Sequence, residues 1–203
     1  MSDKRGRPRT FQLDHALEKA LGPFWHAGYL ATSYSDICAA TGLTKPSLYA
    51  AFGNKEELFL AALELFSERF VRPGIAILEN EPDPREAIYQ LLLATAEALT
   101  AEGTPPGCMI VTNGSLASAH NVPKAVVEGL RTAAQETPNA IADRLAVVPV
   151  DQLPPGTDAG GLTAYFDMMI TGLSGLAKRG ATRQDLILAI DTAMLFWKKN
   201  TSV

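Results

Sequence analysis

Apolar residues recur along the chain at the three- and four-residue spacing of amphipathic helices, and the strict alternation of strands is scarce. Leu13, Ala16, Leu17, Ala20 and Leu21 form the first stripe. It continues through Phe24 and Trp25 and should stop at Gly28. Pro23 lacks a backbone donor, so it either kinks this helix or cuts it in two. Ser33 followed by Asp36 reads as an N-cap with an acid in the first turn. The short helix it opens ends at Thr41-Gly42, where Gly42 can take the left-handed conformation of a sharp turn. Thr44 is the next N-cap, with Pro46 tolerated in the first turn, and the helix from Lys45 to about Phe52 is only two turns long. Gly53-Asn54 breaks it, and Asn54 caps a long helix from Lys55 towards Val71.

The rest reads as a helical bundle, with helices over about 84–101, 107–119, 123–145, 159–178 and 182–198. Pro82-Asp-Pro84, Thr104-Pro-Pro-Gly107 and Asn121-Val-Pro123 separate them, and the proline-rich stretch 147–158 reads as a loop. The last two helices carry Leu162, Tyr165, Phe166, Met169, Ile170, Leu173, Leu186, Ile187, Ile190, Met194 and Phe196. That is more than one hairpin buries against its own body, so part of it is expected to meet a second subunit, the alternative being a monomer with a wide core.

Composition changes this picture in one respect. The net charge of −4 hides an asymmetry: residues 1–55 hold seven Lys and Arg against four Asp and Glu, net +3, and residues 56–203 hold eleven against eighteen, net −7. A basic head on an acidic body suits a protein that presents one end to phosphate. Cys38 and Cys108 make no bridge framework and no Cys-x-x-Cys, which points to a reduced compartment. The N-terminus has no apolar leader, and no stretch reaches the roughly 20 apolar residues of a membrane span, so a soluble cytoplasmic protein is expected. His15, His26 and His120 lack metal-ligand spacing, so neither metal nor cofactor is expected. Nucleophile-elbow, phosphate-loop, dinucleotide and zinc-protease motifs are missing; Asn113-Gly-Ser115 near His120 has no strand–turn–helix context, which argues against an enzyme.

Two short helices joined at a glycine have the form of a helix-turn-helix. In that arrangement the first helix braces on the phosphate backbone and the second enters the major groove, which admits one helix. Thr44, Lys45, Ser47 and Tyr49 supply a polar face for the second helix, while Leu48 and Phe52 point inward with Ile37 and Leu43. Alternate Arg5, Arg7 and Arg9 around Gly6 and Pro8 make an extended arm that either tracks phosphates or a minor groove, or is a solvated tail.

The run Gly28-Tyr29, Thr32-Ser33, Asp36-Ile37, Gly42-Leu43, Ser47-Leu48-Tyr49, Phe52, Lys55-Glu56 and Leu58, preceded by Gly6-Arg-Pro-Arg9 and by Ala16 and Phe24, resembles the TetR family of bacterial transcription regulators. Pro23 departs from the family pattern in the first helix. The resemblance implies an all-α protein: a three-helix helix-turn-helix domain over 1–54 and a helical ligand-binding and dimerisation domain over 55–203. It implies a homodimer on a palindromic operator, a repressor by default, released by a small-molecule effector. Carried over by position, Thr32, Ser33 and Tyr34 start the bracing helix, Thr44, Lys45, Ser47 and Tyr49 form the recognition face, and Lys55 meets phosphate at a helix N-terminus. Candidate effector contacts are Phe66, Phe70, Tyr89, Leu92, Met109, Asn113 and Phe166, each of which plain core packing also explains. Thr112, Asn113 and Ser115 either orient a ligand or bond backbone carbonyls. Cys108, after Pro-Pro-Gly at an expected helix start, is a candidate redox or electrophile sensor, the alternative being a small buried hydrophobe. Nothing in the residues separates repressor from activator.

Overall fold

The computed structural model of the chain describes residues 9–118 and 121–198. They form helices α1 (Arg9–Ala31), α2 (Tyr34–Thr41), α3 (Lys45–Phe52), α4 (Lys55–Phe66), α5 (Arg72–Asn80), α6 (Pro84–Leu99), α7 (Met109–Thr112), α8 (Lys124–Ala146), α9 (Ala159–Lys178) and α10 (Arg183–Ala193), with no strand among the described residues.

The helix starts follow the side chains that cap them. The Ser33 hydroxyl accepts from the Asp36 amide at 3.2 Å while the Asp36 carboxylate accepts from the Ser33 amide at 2.8 Å. Asn54 and Glu57 make the same reciprocal pair at the start of α4, with distances of 2.9 and 2.8 Å. Helix α1 runs through Pro23 and breaks instead at Gly28, whose φ of 82° and ψ of 169° belong to glycine. The break releases the Tyr29 amide from the helical ladder, and that amide donates to Asn113 Oδ1 at 2.8 Å.

Three elements depart from the sequence pattern. Helix α4 is followed without interruption by a π-helical turn, Ser67–Val71, and then by α5, which the Pro73-Gly74 pair does not prevent. Pro73 falls in the first turn of α5, where its missing donor is harmless. Gly74 lets α6 approach, since a Cβ there would sit 2.9 Å from Leu91 Cδ1. The expected helix over 107–119 is two short pieces, α7 and a 3-10 turn at Gly114–Ser118, because Asn113 turns its amide back to the Met109 carbonyl at 2.8 Å. Helix α10 ends at Ala193 rather than near 198.

Side chains pack into two apolar clusters. The first joins Ala20, Phe24, Trp25 and Tyr29 of α1 with Ile37, Leu48, Leu58, Phe59, Phe66, Met109 and Val126, and so runs from the N-terminal helices through α4 into α7 and α8. The second joins Leu78, Ile88, Leu92, Ile141, Leu162, Phe166, Leu186, Ile190 and Trp197 in the bundle of α5, α6, α8, α9 and α10.

Candidate nucleic-acid interface and effector cavity

Helix α3 is held by a small number of contacts. Leu48 is 1% exposed and anchors it, Ala51 and Phe52 are half-buried, and the other residues from Thr44 to Ala50 face solvent. Its N-terminus is closed by Thr44, whose hydroxyl accepts from the Ser47 amide at 3.3 Å and lies 2.9 Å from the Ser47 hydroxyl. Beyond its last turn, Gly53 takes a φ of 75°, and a Cβ there would collide with the Glu57 carboxylate of the α4 cap.

Tyr34 and Tyr49 stack across the α2–α3 angle with ring centroids 5.1 Å apart and planes inclined by 23°. Lys45 Nζ lies 4.7 Å from the Tyr34 centroid and 5.9 Å from that of Tyr49. Burial, then the neighbouring Tyr49 phenol, push the Tyr34 phenol up to about 12, against a smaller opposing pull from the Lys55 backbone amide. Lys55 opens α4 with its Nζ 4.5 Å from the Tyr29 centroid, and partial burial lowers its amine, with the Asp36 charge acting the other way. Hydrogen bonds from the Ser33 hydroxyl and amide hold the Asp36 carboxyl below its usual range. The two lysines, two tyrosines and the N-terminus of α4 thus share one side of the head, beside the exposed helix.

Of the residues singled out from sequence, Ser33, Thr44, Lys45, Ser47 and Tyr49 are exposed, and Tyr34 and Lys55 are half-buried on this side. Thr32 is corrected: it is 2% exposed, and its hydroxyl donates to the carbonyls of Gly28 at 2.7 Å and Pro23 at 3.1 Å. Both acceptors lie in α1, so the side chain is turned back onto that helix and away from solvent. Arg9 opens α1, but its side chain, like Arg5 and Arg7, lies outside the described residues. Sequence reasoning passed over Pro46 and Ala50, the exposed apolar residues of α3. Their signal was available, since both fall opposite Leu48 at 100° per residue.

A cavity of about 820 Å³ lies where the two apolar clusters meet. Trp25, Phe66 and Phe70 form an aromatic wall, with ring centroids 4.8 to 5.3 Å apart. Leu91, Leu99, Ile110, Pro138 and Ile170 are among its other apolar lining residues. Of the three charged residues in its lining, Arg69 and Glu97 pair with Glu18 and Arg183, and Asp167 is exposed. The Trp25 indole donates to the Gly107 carbonyl at 2.8 Å, so a helix of the head both walls the cavity and is tied to the loop before α7.

Phe66 and Phe70 therefore line the cavity, and the other five candidates lie outside its lining. Leu92, Met109 and Phe166 are fully buried in the apolar clusters, away from the cavity lining. The Tyr89 phenol donates to Asp191 at 2.8 Å, joining α6 to α10. Asn113 is 1% exposed and spends its amide on Tyr29 and Met109. Cys108 lines the cavity, yet burial raises its thiol, outweighing the opposing pull of the Val111 and Ile110 amides. The four-residue α7 does not supply the thiolate stabilisation expected of a full helix start. Among the described residues no cluster of His, Cys, Asp and Glu is arranged to hold a metal, and no helix is long and apolar enough to cross a membrane.

An exposed two-turn helix, braced by a capped neighbour and flanked by lysines, defines a transcription regulator of the helix-turn-helix class. The family model described as bacterial regulatory proteins, tetR family, matches residues 16–62. The chain is 35% identical over 196 residues to the HTH-type transcriptional repressor ComR of Escherichia coli K12, covering 95% of this chain and 92% of ComR. It is 32% identical over 106 residues to the repressor BdcR of the same organism, covering 52% of this chain and 54% of BdcR. Among solved structures it is similar to a cysteine-substituted TetR family regulator CifR in complex with 26 bp double-strand operator DNA. The TM-score is 0.81 at 32% identity, over 95% of this chain and all of that one. The chain belongs to the TetR family of bacterial transcription regulators.

Proposed function

We propose that the chain represses transcription by binding an inverted-repeat operator as a homodimer, and that a small molecule in the cavity releases it. The observation that carries this is the exposure of α3 beside Lys45, Tyr49 and the Lys55 end of α4, which presents one helix, phenols and cations to a duplex. Repression follows from the relatives, since ComR and BdcR are both named repressors.

The dimer rests on the outer face of α9 and α10. Met168 on α9, Leu188 on α10 and Leu195 just beyond it are 66%, 65% and 77% exposed, and Gly172, one turn after Met168, has open space beside its Cα. Exposed apolar side chains with a small residue one turn away suit close packing against a second copy. The cavity volume falls within the range of sites for drug-sized molecules, and its aromatic and aliphatic wall, with Asp167 among its lining residues, favours a mainly apolar occupant. Such a ligand weakens operator binding only by favouring the conformation whose two heads mismatch the repeat spacing. Burial raises the Cys108 thiol, which lowers its thiolate fraction.

A mobility shift of the full chain on the inverted repeat upstream of its gene tests the proposal. The wild type is expected to shift that fragment. Tyr49→Ala should weaken the shift about five- to thirtyfold, as loss of a contact of about 1–2 kcal/mol does, with the sedimentation coefficient unchanged. Met168→Glu should sediment as a monomer and lose the shift. Unchanged binding by Tyr49→Ala removes Tyr49 from the interface, and a Met168→Glu dimer contradicts the α9–α10 interface.

A further inference from the structure

The polar side chains of α3 are engaged locally. Thr44 and Ser47 share one hydroxyl–hydroxyl contact of 2.9 Å, and the Thr44 oxygen also accepts from the Ser47 amide. Lys45 folds over Tyr34 and Tyr49, and those rings stack with each other on the α2 side of the helix. At 100° per residue, the buried side of α3 is centred between Leu48, Ala51 and Phe52. Pro46 and Ala50 lie diametrically opposite, four residues apart and therefore adjacent on the surface, and both are exposed. The part of the helix that projects furthest from the head is thus a pair of small apolar groups. Lysine, serine and the phenol occupy its flanks.

A small apolar side chain facing a base edge has one partner in the major groove, the C5-methyl of thymine, which none of the other three unmodified bases carries. We propose, resting on the DNA-binding reading above, that Pro46 and Ala50 are specificity determinants that read thymine methyl groups in each half-site. The flanking groups set position: Tyr49 lies on the flank of α3 and Lys55 opens the neighbouring α4, where phosphate rather than base is in reach. The small size of Ala50 contributes as well, because a longer residue there would hold the helix off the groove floor. Operator choice in this chain then depends on apolar contact more than on hydrogen bonds from α3.

The test separates this from the reading it rests on. Full-length protein is used to enrich duplexes from a random-sequence pool, and each thymine of the enriched half-site is replaced singly by deoxyuridine, which removes only the methyl. The wild type should lose about fourfold in affinity at one or two positions per half-site, the loss expected for one buried methyl group. Ala50→Gly should bind the thymine duplex more weakly and be nearly indifferent to uracil at the position Ala50 reads. The comparison is a ratio within each protein, so weakening of the short helix by glycine cancels. Should Ala50→Gly fail to fold, Ala50→Ser, which keeps Cβ and adds a hydroxyl, should likewise show a reduced uracil penalty. Pro46→Ala should reduce the penalty at the neighbouring position. Uracil substitution without effect at every thymine, or a full penalty retained in the Ala50 variants and in Pro46→Ala, overturns the assignment and leaves DNA binding standing. A pool that yields no enriched duplex overturns both.

Discussion

The two apolar clusters differ in make-up and in reach. The bundle cluster is mostly aliphatic and drawn chiefly from α5, α6, α8, α9 and α10. The other is aromatic, with Phe24, Trp25, Tyr29, Phe59 and Phe66 in edge-to-face contact, and it crosses from the DNA-facing head into the body through α4. The difference shows that the head is not a bead on a linker. A division at residue 54 cuts the chain between two halves of one core, since Leu58 and Phe59 of α4 pack against Phe24, Ile37 and Leu48. The cavity lies at the seam between the clusters, so an occupant touches the head's own Trp25 and the bundle's Leu91 together.

The largest expected effect follows from that shared core. Phe59→Ala, at a fully buried ring 5.1 Å from both Phe24 and Tyr29, should cost about 3–5 kcal/mol. Denaturant unfolding followed by tryptophan fluorescence and by circular dichroism should remain one coincident transition. A separate early transition of the head would break the claim of a continuous core. Next comes the tether. Asn113→Ala leaves the Tyr29 amide without its buried acceptor and should cost about 1–3 kcal/mol. It should also weaken operator affinity, since the end of α1 loses its hold on α7. Unchanged stability would show that the Gly28 break is held by packing alone.

Trp25→Phe sharpens the comparison at lower cost, about 1 kcal/mol for the indole bond to Gly107, with most apolar contact retained. It should still bind operator while responding less to a cavity ligand. The smallest effect is one of pH. The Tyr34 phenol is held near 12 against an ordinary value of 10.0, so its neutral form is favoured by the fold. Stability from this group is complete below pH 10 and is lost as pH rises towards 12. Burial also raises the Tyr29 phenol, and the bond to Asp191 raises that of Tyr89, so absorbance titration at 295 nm should show a late phase that loses one tyrosine's amplitude in Tyr34→Phe.

The head was legible because its signals are local. Caps at Ser33, Thr44 and Asn54 and turns at Gly28, Gly42 and Gly53 each act within four residues, and the structure places each where the spacing put it. The inward turn of Thr32 escaped because its acceptors are carbonyls of the preceding helix, one of them nine residues back. The cavity was only partly legible. Phe66 and Phe70 follow from one helix, but Leu92, Met109 and Phe166 have the same apolar character and differ only in which tertiary neighbour covers them. Asn113 appeared as a ligand-facing amide because its partner, the Tyr29 amide, is freed by a glycine 85 positions earlier in the chain.

The salt dependence of operator affinity tests most directly that α3 and the start of α4 grip the duplex. Each lysine that neutralises a phosphate contributes close to one unit to the slope of log affinity against log salt. Lys55→Gln, changing one cation in each half of a dimer, should therefore bind more weakly and show a slope shallower by about two units. A slope identical to that of the wild type would place the Lys55 end of α4 away from the phosphates and contradict the interface described above.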